Sequence, residues 1–184
     1  MCDLEAYLTF DSSKHSTYSL RDVGSSGRLR IKMGPGEILR EYDLEAYFGP
    51  RAIQRPDRLL LGRIGQGPWV VVLLECKSHT GWEHALRKFR AVLPVFCRGQ
   101  EEGEMHHRAC ALLMPGGKGH CVLAVIAGQV GAEMRRQAPR RRNRRVVERE
   151  KAGLSCGGKL VPVLPPLRRD FASLKAFWCK LGIS

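Results

Sequence analysis

The chain is short of acid. Against 31 Lys and Arg it carries only 18 Asp and Glu, for a formal charge of +13 and a pI near 9.9. Such a surface attracts polyanions, chiefly nucleic acid or anionic membrane. A long apolar run is missing too: no stretch approaches the ~20 residues of a spanning helix, so membrane insertion is not expected. The opening residues Met1-Cys2-Asp3-Leu4-Glu5 lack the basic and apolar regions of a signal peptide. A soluble, intracellular, nucleoid-associated protein is the expectation. Seven cysteines without a CxxC indicate neither a secreted disulfide framework nor a zinc ribbon; most read as buried small hydrophobes. No GxSxG, Walker loop or dinucleotide fingerprint is present, which leaves nucleophile and nucleotide-cofactor chemistry unsupported. Arginine outnumbers lysine, as in thermophiles and GC-rich genomes, and in hyperthermophiles intracellular disulfides do occur.

What is present is enough for one domain. The chain has 184 residues, 43% of them hydrophobic. The basic excess is concentrated: residues 135–184 hold 14 of the 31 Lys and Arg but 3 of the 18 Asp and Glu. Arg135, Arg136, Arg140, Arg141, Arg142, Arg144 and Arg145 form one tract. Charges this dense repel, so the tract reads as an exposed arm or loop that contacts phosphates without reading sequence. The plainer reading is a solubilising segment.

Alternation of charged and apolar residues over Arg28–Met33 predicts a half-buried strand. Glu37 to about Phe48 reads as a helix with Ile38, Leu39, Tyr42, Ala46 and Tyr47 on its apolar side, ended by Gly49-Pro50. Asp3-Leu4-Glu5-Ala6-Tyr7 recurs as Asp43-Leu44-Glu45-Ala46-Tyr47, without flanking similarity that would make it a structural repeat. Arg58–Gly62, the turn Gly65–Pro68 and the apolar run Trp69–Leu74 predict a hairpin whose second strand is covered on both faces. Thr80–Glu83 has the form of a capping box. An amphipathic helix over Trp82–Leu93 follows, with Pro94 at its end or kink. Ala109–Met114 and Cys121–Ile126 read as further strands, 153–166 as loop, and Phe171–Leu181 as a terminal helix docked on the core. The fold class is α/β, an α+β mixed sheet flanked by helices. The divisions are an N-terminal extension (1–35), an α/β core (36–134), the arginine-rich segment (135–152) and a C-terminal loop and helix (153–184).

The chemistry lies where the buried strand runs into Glu75-Cys76-Lys77. Strand alternation puts Glu75 and Lys77 on one face. Charges at the end of a buried strand are costly unless paired or metal-bound. In a plausible hairpin register Asp57 lies across from Glu75, and a cation between them relieves their repulsion. Oxygen ligands suit Mg²⁺ or Mn²⁺. Lys77 beside such an ion could orient a water and stabilise phosphate charge. The plainer alternative is an Asp57–Lys77–Glu75 ion cluster.

Pro56-Asp57 and Glu75-Cys76-Lys77, with the apolar strand directly before the glutamate, resemble the PD-(D/E)xK nuclease superfamily and its restriction-endonuclease-like core. The resemblance covers about residues 36–97 and is strongest to archaeal Holliday-junction resolvases over Val72–Ser78. It implies a metal-dependent phosphodiesterase in which Asp57, Glu75 and the Cys76 backbone carbonyl hold the metal and Lys77 assists the attacking water. Members often add an acid from the first helix, for which Glu37 is the first choice and Glu41 the second. On the helix after ExK, His84, Arg87, Lys88 and Arg90 are candidate phosphate contacts. The resulting expectation is a Mg²⁺- or Mn²⁺-dependent nuclease acting on DNA, including branched structures, in a form compatible with a homodimer. The alternative is a non-catalytic DNA- or RNA-binding protein or accessory subunit. A third reading, a zinc-stabilised module, rests on His107, Cys110, His120 and Cys121, with His106 beside them in sequence.

Overall fold

A computed structural model of the chain describes residues 4–21, 28–50, 54–77, 82–98, 120–127, 155–156, 159–160, 163–164 and 170–183. The architecture is mixed α/β. A short 3-10 helix (Leu4–Tyr7) leads into β1 (Leu8–Asp11), β2 (Thr17–Arg21), β3 (Arg28–Lys32) and β4 (Glu37–Asp43). Helix α1 (Leu44–Phe48) precedes the hairpin of β5 (Arg58–Ile64) and β6 (Val70–Lys77). Helix α2 (Trp82–Arg98) connects to β7 (His120–Ala127). Three two-residue strands follow, β8 (Ser155–Cys156), β9 (Lys159–Leu160) and β10 (Val163–Leu164), then β11 (Asp170–Phe171) and helix α3 (Leu174–Lys180).

The main sheet has the order β1-β4-β5-β6-β7-β10. The pairs β1–β4, β4–β5 and β5–β6 are antiparallel, whereas β7 runs parallel to β6 and β10 parallel to β7. A parallel neighbour requires a crossover, and α2 lies in the connection between β6 and β7. A second sheet, β11-β3-β2, and the pair β8-β9 complete the described strands.

Glu37–Asp43 is a strand rather than the first turns of a helix. Its seven residues pair in unbroken register with β5, from Glu37 opposite Ile64 to Asp43 opposite Arg58. Ile38, Leu39 and Tyr42 fit a helical stripe locally, but the ladder to β5 is non-local and overrides that preference. Only Leu44–Phe48 is helical; Asp43 caps it by accepting from Ala46 N at 2.9 Å, and Gly49 closes it at φ 59°. Helix α2 runs past Pro94 to Arg98. Thr80, Gly81 and the expected strand Ala109–Met114 lie outside the described residues.

The core fills the space between the main sheet, the small sheet and α3. Leu39, Leu60, Val70, Val72 and Leu74 from one side meet Tyr18, Leu29, Ile31, Leu174, Phe177 and Trp178 from the other. Residues before position 36 therefore contribute to this core: β1 pairs with β4, and Tyr18 and Ile31 are fully buried. Gly62 marks the closest approach. A Cβ there would sit 2.7 Å from the Ile38 carbonyl oxygen and 3.0 Å from Trp178 Cζ2, so the indole packs where any side chain would intrude. Cys179 is a free thiol on the exposed side of α3. The opposite face of the sheet presents Leu59, Leu61, Val71, Leu73 and Glu75 by strand alternation, all buried. Ala85, Phe89, Val92 and Leu93 of α2 are buried as well.

The recurring pentapeptide becomes two short helical segments side by side. One precedes β1 and the other follows β4, and these strands are neighbours. Tyr7 and Tyr47 meet edge to face at 5.4 Å, and Leu4 and Leu44 are both buried.

Candidate active site

The hairpin register decides which acids meet. Arg58 pairs with Leu74 across β5 and β6. Continuing that register by one residue puts Asp57 opposite Glu75. The Asp57 backbone is held at this level by Leu44 N, which donates to its carbonyl oxygen at 3.2 Å. Glu75 is fully buried, while the Asp57 side chain retains 28% exposure.

Helix α2 adds a cation. Lys88 Nζ lies 2.6 Å from Glu75 Oε1 and 3.5 Å from Asp57 Oδ1, so one ammonium group bridges both carboxylates. A buried carboxylate without such a partner would be strongly disfavoured. Beside this triad opens a pocket of about 220 Å³. Glu45, Gln54, Arg55, Pro56, Asp57, His84 and Lys88 line it, bringing acidic and basic groups to one mouth.

The two carboxylates come from adjacent strands and offer hard oxygen donors; Asp57 lines the pocket, whereas Glu75 is fully buried behind it with Lys88 Nζ against it. Mg²⁺ is commonly held by one or two carboxylates with water and phosphate oxygens completing its shell, so the donor type is suitable, while the place between the two oxygens is taken by Lys88 Nζ. Among the described residues no group of three or more His, Cys, Asp and Glu converges as a metal cluster. Position 77 is the last residue of β6, and the backbone of Cys76 lies between it and Glu75; the side chains of Cys76 and Lys77 lie outside the described residues. So do Arg135, Arg136, Arg140, Arg141, Arg142, Arg144 and Arg145, and His106, His107 and Cys110. Of the candidate phosphate contacts on α2, Arg87 and Arg90 are exposed and His84 and Lys88 are partly buried.

Glu37 is not brought to this site. It sits opposite Ile64, about 20 Å along the hairpin from Arg58. Its carboxylate is committed elsewhere: Gly34 N donates to it at 2.7 Å, Leu174 N at 3.0 Å and Lys175 N at 3.1 Å. A carboxylate on the first amides of α3 satisfies orphan donors and complements the helix dipole. The physical reason for its displacement is the strand itself: with β4 antiparallel to β5, Glu37 and Asp43 lie at opposite ends.

Glu41 is nearer in height but faces the other side of the sheet. It is 6% exposed, pairs with Arg58 Nε at 3.2 Å, and accepts from Tyr18 Oη at 3.1 Å and Thr9 Oγ1 at 2.9 Å. Burial pushes its carboxyl group above the ordinary range, against the opposing pull of the Thr9 hydrogen bond and the Arg58 charge. Arg58 also holds Asp43 at 2.7 Å, which closes a structural network on that face. Lys88 as a bridging partner, and Glu45, Gln54 and Arg55 as pocket walls, were not singled out by sequence reasoning for those places. Arg55, directly before Pro56-Asp57, and Glu45, in the second pentapeptide, were the available signals.

Compared with known proteins, the chain matches no family model, no curated protein and no solved structure. No helix among the described residues is long and apolar enough to cross a membrane.

Proposed function

We propose that the protein is a metal-dependent phosphodiesterase acting on DNA, including branched or otherwise structured DNA, with a restriction-endonuclease-like core. The observation that carries this reading is the convergence of Asp57 and Glu75, from the two strands of one hairpin, at a pocket that Asp57 and Lys88 line. The order of strand, turn, ExK strand, helix supports it, as does the parallel strand β7 next to β6. The strand β4 stands where the resemblance implies a leading helix.

In this reading Asp57, Glu75 and the Cys76 carbonyl hold Mg²⁺ or Mn²⁺, which supplies Lewis-acid stabilisation of charge on a phosphate. Lys77 orients and helps deprotonate the attacking water. Arg55 and Lys88 place positive charge around the pocket where a phosphate would lie, and His84 adds a ring nitrogen that can hydrogen-bond it. Arg87, Arg90 and the tract from Arg135 to Arg145 bind the phosphate backbone, and most of the affinity is lost at high salt.

Incubation of the purified protein with Mg²⁺ and plasmid or four-way-junction DNA should produce nicks or resolved products, absent with chelator. Asp57→Ala and Lys77→Ala should each abolish them; activity surviving both substitutions overturns the site.

One observation favours a second reading. Lys88 Nζ contacts both acids, closely at Glu75 and more distantly at Asp57, as in a structural ion cluster. A non-catalytic DNA- or RNA-binding protein would then bind nucleic acid in a salt-sensitive way, with affinity and integrity of the nucleic acid indifferent to Mg²⁺.

A further inference from the structure

The cation between Asp57 and Glu75 belongs to the chain itself. Lys88 Nζ occupies the space between Glu75 Oε1, at 2.6 Å, and Asp57 Oδ1, at 3.5 Å. A divalent ion bound to the same oxygens would lie about 2.0–2.1 Å from them, and an ammonium group left in place would be in steric and electrostatic conflict with it. We propose that Lys88 is the resident counter-ion of this carboxylate pair and competes with divalent cations for it, so that metal enters only as the ammonium group withdraws. This inference rests on the reading of the pair as a metal site and adds a residue that sets how tightly the site is loaded.

Three features make the exchange practicable. The Lys88 side chain is 16% exposed and lines the 220 Å³ pocket, so its head group has adjoining space to move into. Its charge is compact and its four-carbon stem flexible, unlike the planar fork of an arginine. The pocket also carries Arg55 and His84, so a phosphate drawn there would offer the displaced ammonium group a new anionic partner. Lys88 is thereby distinguished from Arg87 and Arg90, which lie on the exposed side of α2.

The test is direct Mn²⁺ binding to the full-length protein at neutral pH, read from the electron paramagnetic resonance signal of free Mn²⁺, with no nucleic acid present. A neighbouring opposite charge alters a carboxylate's affinity for a cation by about tenfold or more. Lys88→Met should therefore bind Mn²⁺ at least about tenfold more tightly than wild type, and Lys88→Arg, whose planar fork is harder to displace from carboxylates, should bind it no more tightly than wild type. Glu75→Gln should lose the site. If circular dichroism shows Lys88→Met unfolded, Lys88→Gln, which can still donate to the carboxylates, takes its place in the same comparison. Wild type and neutral variant binding equally, or the variant more weakly, overturns the competition while leaving the metal reading intact. No Mn²⁺ bound by either protein overturns the metal site itself, and the competition with it.

Discussion

Lys88 of α2 and Glu75 of β6 form an ion pair of 2.6 Å, with the lysine on the pocket wall and the carboxylate fully shielded from solvent. This single contact ties the helix to the end of the buried strand and fixes the electrostatic state of the candidate site. Removing Lys88 leaves the Glu75 carboxylate buried without its cation, whereas removing both together does not.

That asymmetry gives the first prediction. Lys88→Met should cost about 3 kcal/mol in urea-induced unfolding, because Glu75 is stranded. The double variant Lys88→Met/Glu75→Gln should recover most of that loss. Additive losses in the double variant would mean that the two residues are not coupled.

Glu37 has a structural task on the other side of the molecule. Its carboxylate accepts from Gly34, Leu174 and Lys175, while Ser173 accepts from Ala176 N at 3.0 Å, so three successive amides at the start of α3 are satisfied. Glu37→Ala should lower stability by about 2 kcal/mol and leave DNA cleavage per folded molecule unchanged. Loss of cleavage at full stability would instead return Glu37 to the catalytic set.

The pH dependence of stability should show two opposite slopes. Burial raises the carboxyl pKa of Glu41 above 4.5, the Thr9 and Tyr18 hydrogen bonds and Arg58 notwithstanding. The folded state then holds its proton more tightly than the unfolded chain, so this group's contribution is full below about 4.5 and lost as pH rises through the folded value. Asp11 behaves oppositely. Burial works against its ionisation, but bonds from Ser13 and the charges of Arg40 and Lys14 outweigh it and lower its pKa below 3.8. Its contribution is present above 3.8 and disappears as pH falls. Denaturation curves from pH 3 to 7 should lose the upper slope in Glu41→Gln, in which Arg58 still has Asp43 at 2.7 Å. An unchanged upper slope would assign it to another group.

The facing of Asp57 and Glu75 was legible because a hairpin leaves little freedom: the Gly65–Pro68 turn and an apolar β-branched strand set the register. The end of the Glu37–Phe48 segment was legible too, since Gly49 at φ 59° is a local signal. Its start was not. Ile38, Leu39 and Tyr42 satisfy both a helical and an extended pattern, and only the ladder to β5, some twenty residues away in the chain, selects the strand. That substitution of strand for helix is also what carries Glu37 away from Asp57. Lys88 reads from sequence as one of several basic residues on α2; its place between the acids depends on how the helix crosses the sheet, and side-chain periodicity does not encode that crossing.

The most direct test of the account is the single-turnover rate of DNA cleavage by wild type and Glu75→Gln, at protein concentrations that bind all of the DNA, with and without Mg²⁺. The account predicts cleavage that requires Mg²⁺ and falls at least about a hundredfold in the variant, with both proteins binding DNA alike. Equal rates in the two proteins, or cleavage that persists in chelator, would contradict it.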